Sequence, residues 1–273
     1  MTYPIIETHA HLDMTHYDSD RIEVLARAKN AGVFRTITIG IDMESSCKAI
    51  ELAETHPEVF ATVGFHPHEA DRVTKADIAN LSEIANKPKV VAIGETGLDY
   101  YRNRSSRQAQ LQALQWQLKL AEKLDLPVVI HCRQAEKDML PILKEWTSSR
   151  RDSSHPIGVI HCFNGDREAA NQYLAMGFNI ALGAYIGYPS SVSLRDTIKN
   201  IPQNRLVLET DSPFLPPQSY RGKRNEPSYL PLVLKSLSAI MKVEPDSIAI
   251  NTTRNACNLF RLPESRLTAG VPV

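Results

Sequence analysis

Leu206-Val-Leu-Glu-Thr-Asp211 is the stretch on which the fold turns, because it supplies the last of eight short apolar runs that each leave a core and end in polar residues. Working back from it, the other seven runs cover residues 5–8, 35–40, 60–65, 90–94, 127–130, 158–160 and 179–183. The stretches between them carry helical spacing. Leu111, Leu114, Leu118 and Ala121 make one stripe with Gln and Lys on the opposite face, and residues 77–85, 166–176 (with Gly177 as C-cap), 229–241 and 246–260 read the same way. Alternation of this kind is the pattern of a parallel sheet with crossover helices. A doubly wound open sheet usually stops at five to seven strands, whereas eight strands in about 250 residues close into a (β/α)8 barrel. The expected fold is therefore α/β, a (β/α)8 TIM barrel formed by the 273-residue chain as one domain, with residues 262–273 as a tail.

Composition narrows the function classes. Lys plus Arg and Asp plus Glu are both 31, so the net charge is zero and any affinity for nucleic acid must come from a local patch. No run of 18 apolar residues spans a bilayer, and the N-terminus lacks the basic and apolar regions of a secretory signal, which places the protein in the cytoplasm with no membrane partner. Cys47, Cys132, Cys162 and Cys257 form no C-x-x-C and read as free buried thiols. There is no G-x-S-x-G elbow, Walker loop, H-E-x-x-H or G-x-G-x-x-G.

What stands at the strand ends carries the chemistry. His9 and His11 end the first strand, His66 the third, Glu95 the fourth, His131 the fifth, His161 the sixth and Asp211 the eighth. In a barrel these ends and their loops form the mouth, where catalytic groups gather. The period of two in a strand turns His9 and His11 to one side. The same alternation turns Cys132 and Cys162 away from His131 and His161, toward the surrounding helices. A single histidine there is commonplace; four histidines and two carboxylates converging from five strands point to a metal site. Mixed imidazole and carboxylate donors suit Zn, Mn, Fe or Ni better than Mg. Six donors exceed the four that one tetrahedral ion takes, so two divalent ions are expected. His9, His11 and Asp211 would hold one, His131 and His161 the other, and Glu95 would bridge them. A pair of ions about 3.5 to 4 Å apart serves hydrolysis.

Phe65-His-Pro-His68 contains a second H-x-H, but Pro67 breaks the strand, so the two rings are expected to diverge. His66 is given a substrate or proton-transfer role and His68 none. Arg102, Arg104 and Arg107, then Arg133, then Arg221, Lys223 and Arg224 fall in loops at one rim and together would form a phosphate-binding collar. The long segment 212–227 follows the eighth strand with four prolines, and a loop of that length is expected to be functional or mobile.

Thr8-His-Ala-His-Leu-Asp13, Gly64-Phe-His-Pro67, Ile93-Gly-Glu-Thr-Gly-Leu-Asp-Tyr100, Ile130-His-Cys-Arg133, His161-Cys-Phe-Asn-Gly165, Glu209-Thr-Asp-Ser-Pro213 and Arg221-Gly-Lys-Arg-Asn-Glu-Pro227 together resemble the signatures of the TatD-related metal-dependent deoxyribonucleases, over about residues 4 to 261. The resemblance implies an amidohydrolase-type TIM barrel with a divalent metal centre that cleaves DNA phosphodiester bonds, often as an exonuclease. It implies His9, His11, Glu95, His131, His161 and Asp211 as metal ligands, the same six reached from the strand ends. Asp211, Glu95 and His66 are expected to be catalytic. His66, Arg133, Arg221, Lys223 and Asn225 are expected to bind substrate.

The expected reaction is attack on phosphorus by a hydroxide that two metal ions (Zn, Mg or Mn) activate, on single-stranded DNA or 3′ ends, by a monomer. Two other readings use the same residues. One is an esterase, lactonase, amidohydrolase or aminoacyl-tRNA deacylase on the same metals. The other is a non-enzymatic barrel with structural metal, against which speaks the open, Cys-poor donor set.

Overall fold

Alternating side chains from eight strands fill the centre of the protein and leave polar groups at one end of it. The computed structural model describes residues 3–148 and 155–263. The strands are β1 (Ile5–Ala10), β2 (Val33–Ile39), β3 (Val59–Val63), β4 (Val90–Asp99), β5 (Val128–Arg133), β6 (Gly158–Ile160), β7 (Asn179–Leu182) and β8 (Leu206–Leu208). They pair in parallel in chain order, β1 to β8. The ring closes where β8 meets β1: Asp211 N–H donates to His9 O (2.9 Å), His11 N–H to Ser212 O (2.8 Å), and the Thr8 hydroxyl to Leu208 O (2.8 Å). This is the TIM barrel that eight runs require.

The intervening helices are α1 (Arg21–Asn30), α2 (Met43–Thr55), α3 (Lys75–Ile84), α4 (Arg107–Leu124), α5 (Glu136–Ser148), α6 (Arg167–Ala175), α7 (Val192–Ile198) and α8 (Leu230–Met241), with α9 (Pro245–Leu259) at the end. Local chemistry sets their limits. Asp166 caps α6 by accepting from Ala169 N–H, and Gly177 just past that helix takes φ +92°, a conformation that favours glycine. Ile6, Ile37, Val129, Val159, Ala181 and Val207 form one buried cluster with Ala256, Cys257, Leu259 and Phe260, so the end of α9 packs on the barrel's inner residues. The alternation that puts Val129, Val159 and Val207 in this cluster puts His131, His161 and Glu209 two residues further on, at the opposite, open end.

Three expectations change. β4 does not stop at Gly94 but continues to Asp99, paired with β5. Its two glycines are close-approach positions rather than breaks: at Gly97 (φ +150°) a Cβ would fall on the carbonyl of His131. Of the four cysteines, only Cys257 is buried, Cys47 is exposed, and Cys132 and Cys162 are half-buried. Leu262 is not in a tail, because it is buried and its N–H donates to Cys257 O, while the Pro263 carbonyl accepts from Arg35. The rest of the expected tail, 264–273, lies outside the described residues.

No helix among the described residues is long and apolar enough to cross a membrane.

Candidate metal centre

Glu95 stands at the middle of the mouth, 3% exposed, with its two oxygens facing different imidazoles. Oε1 lies 2.7 Å from His131 Nδ1, 3.5 Å from His66 Nε2 and 3.9 Å from His161 Nε2. Oε2 lies 3.4 Å from His9 Nε2 and 4.0 Å from His11 Nε2. Asp211, with φ +55°, turns Oδ1 to within 3.4 Å of His11, 3.8 Å of His9 and 3.9 Å of His161. The six donors from β1, β4, β5 and the segments after β6 and β8 therefore meet.

The donor atoms fall into several close groups. His9, His11 and Asp211 converge as a triad, as expected, and so do His66, Glu95 and His131, while His161 groups with His9 and Glu209 and with Cys162 and Asp211. His161 lies between the two triads, equally far from Glu95 and Asp211, with its ring stacked on His9 at 3.5 Å. Cys162 also departs from expectation. β6 ends at Ile160 and Cys162 takes φ +48°, so strand alternation no longer applies, and its thiol joins His161 and Asp211 instead of facing the helices. Burial and the nearby carboxylates push that thiol's pKa well up. Cys132, inside β5, does turn toward Tyr173 of α6 as alternation requires.

Carboxylates behind the imidazoles fix their orientation. Glu209 Oε2 lies 2.8 Å from His161 Nδ1, and Oε1 accepts from Cys162 N–H (2.8 Å). Asp99 Oδ2 faces His131 Nε2 (3.2 Å) and His68 Nε2 (3.0 Å), while Oδ1 accepts from the N–H groups of Tyr101 and Arg102. Such partners set which ring nitrogen is left to bind a metal: Nε2 in His161 and Nδ1 in His131. Glu7 Oε1 accepts from His9 N–H and Thr210 N–H, and burial pushes this carboxyl up to about 8. The sequence reading missed all three acids. Glu209 shares a strand face with Val207, which was a usable signal; Asp99 was hidden by ending β4 too early.

The site's protonation follows its charge balance. Burial pulls His161 down, but Glu209 and Glu95 outweigh it and raise the ring to about 10. Burial, aided by His161, lowers His9. Burial would raise both Glu95 and Asp211, but the surrounding imidazoles hold them low. Both ring nitrogens of His9 and Nδ1 of His11 are buried without a hydrogen-bond partner. Orphaned buried nitrogens are costly unless something fills them. Imidazoles without partners, converging with carboxylates, fit divalent cations.

His66 is different. It caps the short helix Pro67–Arg72, its Nδ1 accepting from His68 N–H (3.1 Å), and burial lowers its pKa to about 4. The neutral ring then carries its proton on Nε2, the atom aimed at Glu95. The His66 and His68 rings do not diverge as expected: Pro67 starts a tight turn that brings them edge to face at 4.3 Å, and His68 reaches Asp99.

The collar is smaller than expected. Arg133 and Arg221 are exposed and lie over the rings of Tyr101 (4.1 Å) and Tyr188 (5.0 Å), and Lys223 is exposed. Arg224 is consumed by a bidentate pair with Asp20 at 2.7 Å. Asn225, expected to bind substrate, is instead fully buried with its polar atoms bonded within the protein: its amide donates to the carbonyls of Thr210 and Phe214, and its Oδ1 accepts from Glu226 N–H. With the Tyr17 hydroxyl bonded to Asn225 O (2.6 Å), these contacts tie down the loop after β8.

A (β/α)8 barrel with this donor cluster at its mouth defines a metal-dependent hydrolase. Comparison with known proteins is specific. The family model for TatD related DNase matches residues 6–261, and the chain belongs to that family. It is 38% identical over 259 residues to the uncharacterized metal-dependent hydrolase YabD of Bacillus subtilis, covering 94% of this chain and 99% of that one. It is 37% identical to the 3′-5′ ssDNA/RNA exonuclease TatD of Rahnella, covering 96% and 100%. The crystal structure of the TatD homolog YJJV from Escherichia coli superimposes with a TM-score of 0.89 at 31% identity, over 96% of this chain and all of that one.

Proposed function

We propose that this protein is a metal-dependent exonuclease that trims single-stranded DNA, and RNA by the same chemistry, from the 3′ end. The observation that carries the reading is the position of Glu95, each oxygen of which faces a separate set of imidazoles. Two divalent ions would be held by His9, His11 and Asp211 on one side and by His131 with His161 on the other, with Glu95 facing both sets; Zn, Mn and Mg are the candidates. The relatives named as 3′-5′ ssDNA/RNA exonucleases support the substrate and the direction. Four cysteines that form no disulfide suit a reducing cytoplasm, and the complete donor set in one chain suits a monomer.

Divalent ions bound there would supply Lewis-acid stabilisation of phosphoryl oxygens and a water acidic enough to react near neutral pH. The chain's own residues do the rest. Asp211, kept ionised by its imidazole neighbours, orients the attacking water in line with phosphorus and takes its proton. His66 donates from Nε2 to a nonbridging oxygen, where charge grows in the transition state. Arg133, Arg221 and Lys223 hold the flanking phosphates.

The test is a side-by-side assay of 5′-labelled single strands, duplexes, RNA and carboxylic esters, with and without chelator. A ladder shortening from the 3′ end of single strands, abolished by chelator and restored by metal, supports the reading. Ester cleavage with intact oligonucleotides would reassign the same metal centre to esterase chemistry.

A further inference from the structure

Among the described residues, five large apolar side chains are exposed, and the two aromatic ones, Tyr101 (54%) and Phe214 (44%), both stand at the barrel mouth. Phe214 lies three residues beyond Asp211 and Tyr101 two residues beyond Asp99. Because the strands follow chain order around the ring, the β8/β1 side that carries Phe214 is half a turn from the β4/β5 side that carries Tyr101. The two rings therefore stand on opposite sides of the mouth.

Phe214 is presented without a stacked neighbour. Its ring meets His11 at 5.9 Å and His16 at 6.3 Å, with interplanar angles of 68° and 70°, both edge to face. Its backbone is fixed independently of the ring: its N–H donates to Asp211 O (2.8 Å) and its carbonyl accepts from Asn225 Nδ2 (2.6 Å). Across the mouth, the Arg133 guanidinium lies 4.1 Å from the centroid of Tyr101, whose N–H is held by Asp99. That pair combines an aromatic surface with a cation; the Arg102 guanidinium also lies over the Tyr101 ring, farther off at 5.7 Å, and Arg221 adds charge over Tyr188. Every nucleobase has a π face, so such shelves bind single strands regardless of sequence and with phosphate attraction alongside. Bases inside a duplex are already stacked on their neighbours.

We propose that Phe214 and the Tyr101–Arg133 pair are the shelves on which the nucleobases on either side of the scissile phosphodiester stack, so that the enzyme selects an unpaired end. This rests on the nuclease reading of the metal centre and adds to it the residues that recognise the strand.

The test uses the metal-loaded protein and short oligonucleotides with phosphorothioate linkages and 2-aminopurine at the 3′-terminal or the adjacent position. Stacking quenches that fluorophore and gives Kd directly. Phe214→Ala and Tyr101→Ala are each expected to weaken binding roughly ten-fold, with a matching rise in KM on ordinary single strands and a smaller change in kcat. Phe214→Trp should restore binding, and an oligonucleotide lacking the stacked base should bind wild type and Phe214→Ala alike. Phe34→Ala, at the start of β2 on the opposite face, serves as the aromatic control and should leave Kd unchanged. If the wild type binds and trims single strands while both alanine variants keep its Kd and KM, the shelves are refuted and the nuclease reading stands. If the wild type neither binds nor cuts them, the nuclease reading fails first and takes the shelves with it.

Discussion

Glu209 Oε2 lies 2.8 Å from His161 Nδ1, and both side chains are buried. The contact leaves Nε2 of His161 as the nitrogen turned toward Glu95 and Asp211. Partners of this kind fix ring orientation and raise the basicity of the ligand, and their loss typically costs 10- to 100-fold in metal affinity or activity. Glu209→Gln keeps the shape but removes the charge. The variant is expected to fold and to lose about ten-fold or more in metal affinity, read by competition with a chromogenic chelator. Unchanged affinity would mean that Glu209 is merely a core acid.

Asp211 has no equivalent substitute, since the left-handed backbone at this position aims Oδ1 at three imidazoles. Asp211→Asn retains the hydrogen-bonding shape while removing the base and the anionic donor. Turnover on single-stranded DNA should fall by about two to four orders of magnitude, with Tm close to wild type. A rate within a few-fold of wild type, measured with metal in excess, would remove Asp211 from the catalytic machinery.

The barrel and the six donors were legible because they depend on counting apolar runs and on the period of two within strands. His131 and His161 follow inward valines by two residues, and that spacing survives folding. What could not be read lies where the period breaks. β6 and β8 are each three residues long, so Cys162 and Asp211 beyond them are oriented by positive φ in loops, which no alternation rule anticipates. Asp99 was lost because two glycines resemble a strand end, although here they let β4 approach β5. Arg224, counted in the basic collar, and Asn225, expected to bind substrate, have as partners Asp20 and backbone carbonyls distant in sequence.

Arg221 and Lys223 remain exposed on the mouth rim while Arg224 is paired, so the first two should meet phosphates and the third should not. Replacing both with Gln should raise KM for oligonucleotides several-fold and flatten the fall of affinity with salt by about one to two counterions, leaving cleavage of a mononucleotide diester unchanged. An unaltered salt slope would show that the phosphates run elsewhere.

Asp20 joins the loop after β8 to α1. Its carboxylate accepts from both terminal nitrogens of Arg224 at 2.7 Å and from Arg27 at 2.8 Å, and Arg27 continues to Glu226. The two guanidinium groups hold the Asp20 pKa below its ordinary value. A carboxyl depressed in the folded state contributes stability above its unfolded pKa and loses it as pH falls through the folded one. Asp20→Asn should therefore lower Tm by about 2 °C at neutral pH, as a partly exposed network does. The gap between variant and wild type should begin to close below about pH 4, where the unfolded carboxyl takes up its proton, and keep shrinking as the pH falls toward the depressed folded value. Thermal melts of both proteins across pH 2 to 8 check this directly. A gap independent of pH would assign the loss to altered packing of the loop, because the substitution removes a charge that titrates in that window while Arg27 and Arg224 stay cationic and Glu226, which both proteins share, cancels in the comparison.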